Sequence, residues 1–240
     1  PCLPIIQTLL LTISEAVSAN VASKCTSLRS RNMNLSRALN PIGNRPRKKT
    51  NPWLLIARQN IWPILLIIIV VLVNAVYLIK QYLQEKESRY DDVIVQAAKR
   101  YRVPHTLIKA VVWRESRFDH LARGTSGEIG LMQIRKLAAE EWADAEGIKP
   151  FDHEHLVDPK TNTLAGTWYL KKLLNRYAKT DNPLPYALAD YNAGRTRVVK
   201  WLKGAGSTNS LAFINQIEFP GTRDYVLAIN DKYRRNRGLK

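Results

Sequence analysis

Residues 61 to 79, IWPILLIIIVVLVNAVYLI, run for 19 positions without a charged side chain. About 20 such residues cross the hydrocarbon core of a bilayer as a helix, and a buried helix of a soluble core would need amphipathic neighbours that the flanking sequence does not provide. The segment is read as one transmembrane helix over 61–80. Trp62 and Tyr77 suit the two membrane interfaces, Pro63 falls in the first turn where its missing N–H costs little, and Asn74 is the single strongly polar residue.

The flanks set an orientation. Residues 29 to 58 carry eight Lys or Arg and no acid, whereas KQYLQEKESRYDD after the span mixes both signs. The positive-inside rule then leaves 1–60 in the cytoplasm, as a basic segment expected to be disordered, and everything after Lys80 on the other side. A cleaved signal peptide fits less well, because no small-residue cleavage site follows the apolar run. Residues 81–89 are expected to be a linker and 90–240 a single domain, long enough for a well-buried core. Met33 is the first methionine, and translation is expected to begin there, with 1–32 outside the natural product.

The formal net charge is +17, and residues 81 to 240 hold 27 basic against 19 acidic side chains. Charge of this size suits an anionic partner. Nucleic acid is not expected, since the densest basic run borders the apolar helix, where topology already explains it. Cys2 and Cys25 both precede residue 60, so the domain has no disulfide, no cysteine metal site and no cysteine nucleophile.

Within the domain, PHTLIKAVVWRESRF at 104 to 118 opens on a proline that a first helical turn tolerates. Ile108, Val111, Val112 and Glu115 are spaced i, i+3, i+4, i+7, which places the glutamate on the inward face. Apolar surroundings disfavour a charged carboxyl, so Glu115 could keep its proton near neutral pH and act as a general acid. The bland alternative is an ion pair with Arg114 or Arg117 at an exposed helix end.

Blocks further along the chain separate the two. Glu115–Ser116, GLMQI at 130–134, DPKTNTLAGTWYLKKLL at 158–174, YALADYNAGRTRVVKWL at 186–202 and INQIEFPGTRDYV at 214–226 follow in order. Together they resemble the soluble lytic transglycosylase family, of lysozyme-like fold, over roughly residues 90 to 230. The sequence departs from that pattern where Gly124 replaces a usual Ser and Glu128 a usual small residue.

The resemblance implies a mostly α, lysozyme-like SLT domain, here preceded by the one transmembrane helix read from the apolar run, and the periodic segments suggest seven to nine helices and little strand. Together with the orientation of the span, this would be an enzyme of the bacterial inner membrane, its catalytic domain in the periplasm or facing the cell wall. The substrate would be peptidoglycan glycan strands, cut between N-acetylmuramic acid and N-acetylglucosamine with 1,6-anhydro products. Glu115 would be the single acid and base, assisted by the substrate's own N-acetyl group, with no metal or cofactor.

Ser116, Ser126, Gly130, Met132, Gln133, Tyr191, Asn192 and Tyr225 are the candidate substrate-binding residues. Met132 would be an apolar platform for a sugar ring or a core methionine, and Gln133 a partner for an acetamido group or a solvated side chain. Tyr191 lies on the face of Leu184, Ala187 and Leu188, facing the interior or the cleft wall, while Gly194 ends that helix. Asn192 would bind substrate or cap the backbone, and Tyr225 resembles the family tyrosine that holds an N-acetyl group. Glu128 is read as a solvated loop acid, and His153 and His155 as surface loop, because x-His-x-His lacks a third ligand. Two other functions compete: a hydrolytic muramidase of goose-lysozyme type, and a wall-binding protein without activity.

Overall fold

The apolar run forms helix α1, Ile61–Ser88, in a computed structural model of the protein that describes residues 61–238. None of the residues of α1 is buried, and the helix is long and apolar enough to cross a membrane. Asn74 turns its Nδ2 back onto the Val70 carbonyl at 2.8 Å, so its amide nitrogen has a partner within the helix. Of the expected linker 81–89, residues 81–88 continue this helix, and Gln81 Nε2 donates to the Tyr77 hydroxyl at 2.6 Å one turn back. The segment 1–60, with Cys2, Cys25 and Met33, lies outside the described residues.

Eight further α-helices follow among the described residues: α2 Asp91–Tyr101, α3 His105–Glu115, α4 Lys136–Ala145, α5 Pro159–Arg176, α6 Pro183–Ala193, α7 Arg195–Trp201, α8 Ser210–Gln216 and α9 Pro220–Asn236. Short 3-10 helices cover His153–Val157 and Gly204–Ser207. Extended pairing among the described residues is confined to two isolated bridges, Arg123 with Ile129 and Ile129 with Ile134. The domain is thus almost purely helical, as its periodic segments predict.

Local chemistry explains where these helices start. Asp158 accepts from the Thr161 N–H at the head of α5, Asn182 from Leu184 at α6 and Asn209 from Ala212 at α8. Pro159, Pro183 and Pro220 fill first-turn positions where no donor is required. Acids open α2 at Asp91 and Asp92 while Lys99 and Arg100 close it, in accord with the helix dipole.

Helix α3 lies at the centre. Leu107, Ile108, Ala110, Val111 and Val112 are all buried, and α3 packs against α2 and α9. Helix α5 packs against α2, α4 and α6, and α6 in turn meets α9. Lys232 of α9 pairs with Glu87 at 2.9 Å, which ties the end of α1 to the domain.

Candidate active site

Helix α3 stops at Glu115 because the chain turns sharply there. Arg117 and Phe118 adopt left-handed backbone, φ 52° and 60°, which is costly for residues with a Cβ. Burial of the Phe118 ring, 3% exposed, holds the turn in place. The Ser116 hydroxyl donates to the Leu131 carbonyl at 2.8 Å and to Val112 at 3.3 Å, stitching the helix end to the GLMQI segment. Ser116, expected to bind substrate, is therefore buried and occupied with the backbone.

Glu115 reaches a partner from the far end of the chain. The hydroxyl of Tyr225, on α9 and itself buried, donates to Glu115 Oε1 at 2.5 Å. Burial pushes the Glu115 carboxyl up to about 7; the Tyr225 hydrogen bond and the nearby Arg114 and Arg135 charges pull the other way, and Glu128 adds to the rise. The carboxyl is thus poised to hold or release a proton near neutrality, as its position on the inward face predicts.

The segment after the glutamate is shaped by one buried side chain. Asn162 of α5, fully buried, accepts from the Met132 N–H at 2.8 Å and donates to the carbonyls of Ile129 at 2.8 Å and Leu156 at 2.9 Å. Gly130 sits beneath it at φ 77°, and a Cβ there would lie 2.6 Å from the Leu156 carbonyl oxygen. Only glycine fits both the angle and the approach.

Met132 points into the core and not into the cleft. It is fully buried against Gly166 of α5, so its side chain offers a sugar no platform; its carbonyl instead accepts from the Tyr191 hydroxyl at 2.8 Å. Gln133, at φ 48°, spends its Nε2 on the carbonyls of Ala122 and Gly130, at 3.0 and 2.9 Å. Its carbonyl oxygen remains an acceptor at the cavity.

A cavity of about 230 Å³ opens beside these groups. Glu115, Gln133, Tyr191 and Asn192 line it, so four of the residues singled out by sequence converge. Asn192 Oδ1 accepts from Thr222 at 2.8 Å, which directs its amide nitrogen away from that contact. The Tyr169 and Tyr191 rings meet at 5.5 Å on one wall. Ser126 is exposed on the loop and is not among the lining residues, and its backbone N–H donates to Glu128.

Three charged residues of this cavity were not expected as site residues. Glu128, read as a solvated loop acid, lines it and pairs with Arg135 at 2.7 Å. Asp190 is 1% exposed and accepts from Arg176 Nη1 at 2.6 Å and from the Tyr177 hydroxyl at 2.7 Å. Burial, followed by Asp190, pushes Tyr177 up to about 12, so this hydroxyl stays a donor and anchors the end of α6. A departure from the usual small residue was the one signal for Glu128; nothing in the spacing marks its partner.

The two histidines, read as surface loop, lie in the 3-10 helix His153–Val157. His153 Nε2 donates to the Ile134 carbonyl at 3.0 Å, and His155 Nδ1 accepts from the Asp152 N–H at 3.2 Å. Among the described residues no cluster of three or more His, Cys, Asp or Glu is arranged to hold a metal ion.

The sequence and fold of this helical domain have known counterparts. Residues 92–214 match the family described as the transglycosylase SLT domain. The chain belongs to that family. This SLT chain is similar to the soluble lytic murein transglycosylase of Escherichia coli (strain K12), 32% identical over 150 residues, 60% of this chain and 23% of that protein. It is also similar to the membrane-bound lytic murein transglycosylase F of Desulfosudis oleivorans, 35% identical over 117 residues, 48% of this chain and 24% of that protein. An inactive mutant of the lytic transglycosylase Slt from Pseudomonas aeruginosa shares the fold at a TM-score of 0.56 and 28% identity, covering 61% of this SLT chain and 24% of that one. The chain spans about a quarter of the length of each of these proteins.

Proposed function

We propose that this protein is a membrane-anchored lytic transglycosylase that cleaves the β-1,4 bond between N-acetylmuramic acid and N-acetylglucosamine in peptidoglycan. The observation that carries the reading is Glu115, raised by burial to about 7 and held by Tyr225 at the edge of a polar cavity. The names of the similar proteins support the reaction class, and the Pseudomonas aeruginosa enzyme of the same fold is inactive as a Glu-to-Gln mutant.

Chemically, Glu115 Oε1 accepts from Tyr225, which leaves Oε2 to carry the proton. Glu115 gives that proton to the departing O4 of N-acetylglucosamine as the C1–O4 bond breaks, while the N-acetyl carbonyl of the muramic acid stabilises the developing positive charge at C1. The Glu115 carboxylate then removes the proton from the O6 hydroxyl, and O6 bonds to C1. The 1,6-anhydro ring closes, the acid is regenerated and no water is consumed. The Gln133 carbonyl oxygen and the Asn192 amide, which line the cavity, would accept from and donate to acetamido groups, beside the Tyr191 ring.

Helix α1 would anchor the enzyme in the inner membrane, with 1–60 in the cytoplasm and the SLT domain on the wall side. Hydrolysis by a muramidase is the second reading, favoured by a further carboxylate in the cavity, Glu128, since Asp190 is matched by Arg176. The Glu128 oxygens are already engaged, Oε1 by Arg135 and Oε2 by the Ser126 N–H, which opposes a role as the base for water. Digestion of purified peptidoglycan by the full chain in detergent separates the readings: a transglycosylase solubilises fragments without new reducing ends, and a muramidase creates one at each cut.

A further inference from the structure

Glu128 stands in the cleft because the loop around it is built to hold it there. Arg135 Nε donates to Oε1 at 2.8 Å with Nη2 at 2.7 Å, and the Ser126 N–H donates to Oε2 at 2.9 Å. The side chain is only 17% exposed and lines the same cavity as Glu115. The space it fills is the space Gly124 leaves open. A Cβ on residue 124 would fall 2.9 Å from the Glu128 Cβ and against its Oε2. Close-packed protein does not tolerate that approach, so a side chain at 124 and the Glu128 carboxylate in this place exclude each other.

We propose that Glu128 is a positioning residue for Glu115: a fixed negative charge, clamped by Arg135 in the room left by Gly124, that favours the acid form of Glu115 in the cleft. Two like charges that line one cavity resist joint ionisation, and the clamp decides which of them stays charged. Burial alone would raise Glu128, but backbone N–H groups and Arg135 outweigh it and hold the carboxyl below its usual range. At Glu115 burial outweighs the Tyr225 hydrogen bond and the Arg114 and Arg135 charges, so Glu115 is the one that keeps the proton.

The other groups around Glu115 are accounted for. Arg114 comes from its own helix and packs over the Tyr225 ring, 5.4 Å from its centroid. Tyr225 from α9 and Tyr191 from α6 are both neutral, pushed well up by burial and by the Glu115 charge. Asp190 on the cavity wall is matched by Arg176. Glu128 is therefore the anion in this set that pushes Glu115 upward, against the pull of Arg114 and Arg135.

The inference rests on the proposed role of Glu115 only for its effect on rate. The test uses the full chain in detergent micelles, with the Glu115 carboxyl carbon followed by NMR titration and activity on peptidoglycan measured across pH. In Glu128→Gln, the Glu115 midpoint and the alkaline limb of activity both move to lower pH, with activity on the acid side retained. Gly124→Ser, which keeps Glu128 but displaces it, moves the midpoint in the same direction. A midpoint that stays in place or rises in the foldable variants overturns the proposal, as does a uniform loss of activity without a shift. Should the wild type make no anhydro products, the reaction proposed above fails, while the midpoint still decides the role of Glu128.

Discussion

Tyr225 and Glu115, 110 positions apart in the chain, meet at 2.5 Å, the hydroxyl of α9 donating to the carboxyl that ends α3. The bond orients the carboxyl and favours its charged form, against burial that favours the neutral one. Tyr225→Phe removes both effects of the hydroxyl. Glu115 then rises further, so the alkaline limb of the pH–rate profile moves to higher pH, opposite to the shift expected for Glu128→Gln. Loss of orientation lowers the rate at the optimum about 10- to 100-fold, and stability falls by about 1 kcal/mol. A pH–rate profile and a thermal melt of the same variant check both.

Glu115 has a cost in stability whose sign follows from its protonation. The folded protein holds the proton up to about pH 7, whereas an ordinary glutamate releases it near 4.5. The fold therefore penalises the carboxylate: stability drops as pH rises from the unfolded value through the folded one, and the full penalty is present above it. Glu115→Gln escapes the penalty. Its melting temperature should match wild type at low pH and exceed it above neutrality, by up to about 3 kcal/mol in unfolding free energy. Melts at a series of pH values read this directly.

Asn162 is expected to be worth more to folding than any surface ion pair of the domain. Asn162→Ala leaves the Met132 N–H and the carbonyls of Ile129 and Leu156 without their partner in a fully buried place. Unpaired buried groups of this kind cost about 1 to 3 kcal/mol each before relaxation, so a loss of about 3 kcal/mol is expected by denaturant titration, with activity falling as the cleft loosens.

Met132 distinguishes packing from recognition. Because the side chain is fully buried against Gly166, Met132→Leu should change stability by less than about 1.5 kcal/mol and leave KM for glycan strands unchanged. Met132→Ala should cost about 2 to 5 kcal/mol through the cavity it opens. A raised KM in the Leu variant would instead give the thioether a place at the sugar.

Helix content and the inward face of Glu115 were legible because both follow from spacing along one helix, Ile108, Val111, Val112 and Glu115 repeating at the α period. Gly194 as the stop of α6 was legible for a similar local reason, its φ of 82° being glycine's. The contacts that tune the site were not, since they join residues far apart in sequence: Tyr225 with Glu115, Asn162 with Met132, Arg135 with Glu128. The burial of Met132 and Ser116 was not legible because a motif marks a segment and not the direction of each side chain. In GLMQI the core takes Leu131 and Met132, while Gln133 and the largely buried Ile134 border the cleft.

The most direct measurement is a digest of purified peptidoglycan in heavy-oxygen water by the full chain in detergent, beside Glu115→Gln, with products weighed by mass spectrometry. If Glu115 moves the proton and O6 closes the ring, wild-type muropeptides are one water lighter than hydrolysis products, carry no solvent oxygen, and are absent with the variant. Products that bear solvent oxygen at the cut sugar, or anhydro products that persist in Glu115→Gln, would contradict it.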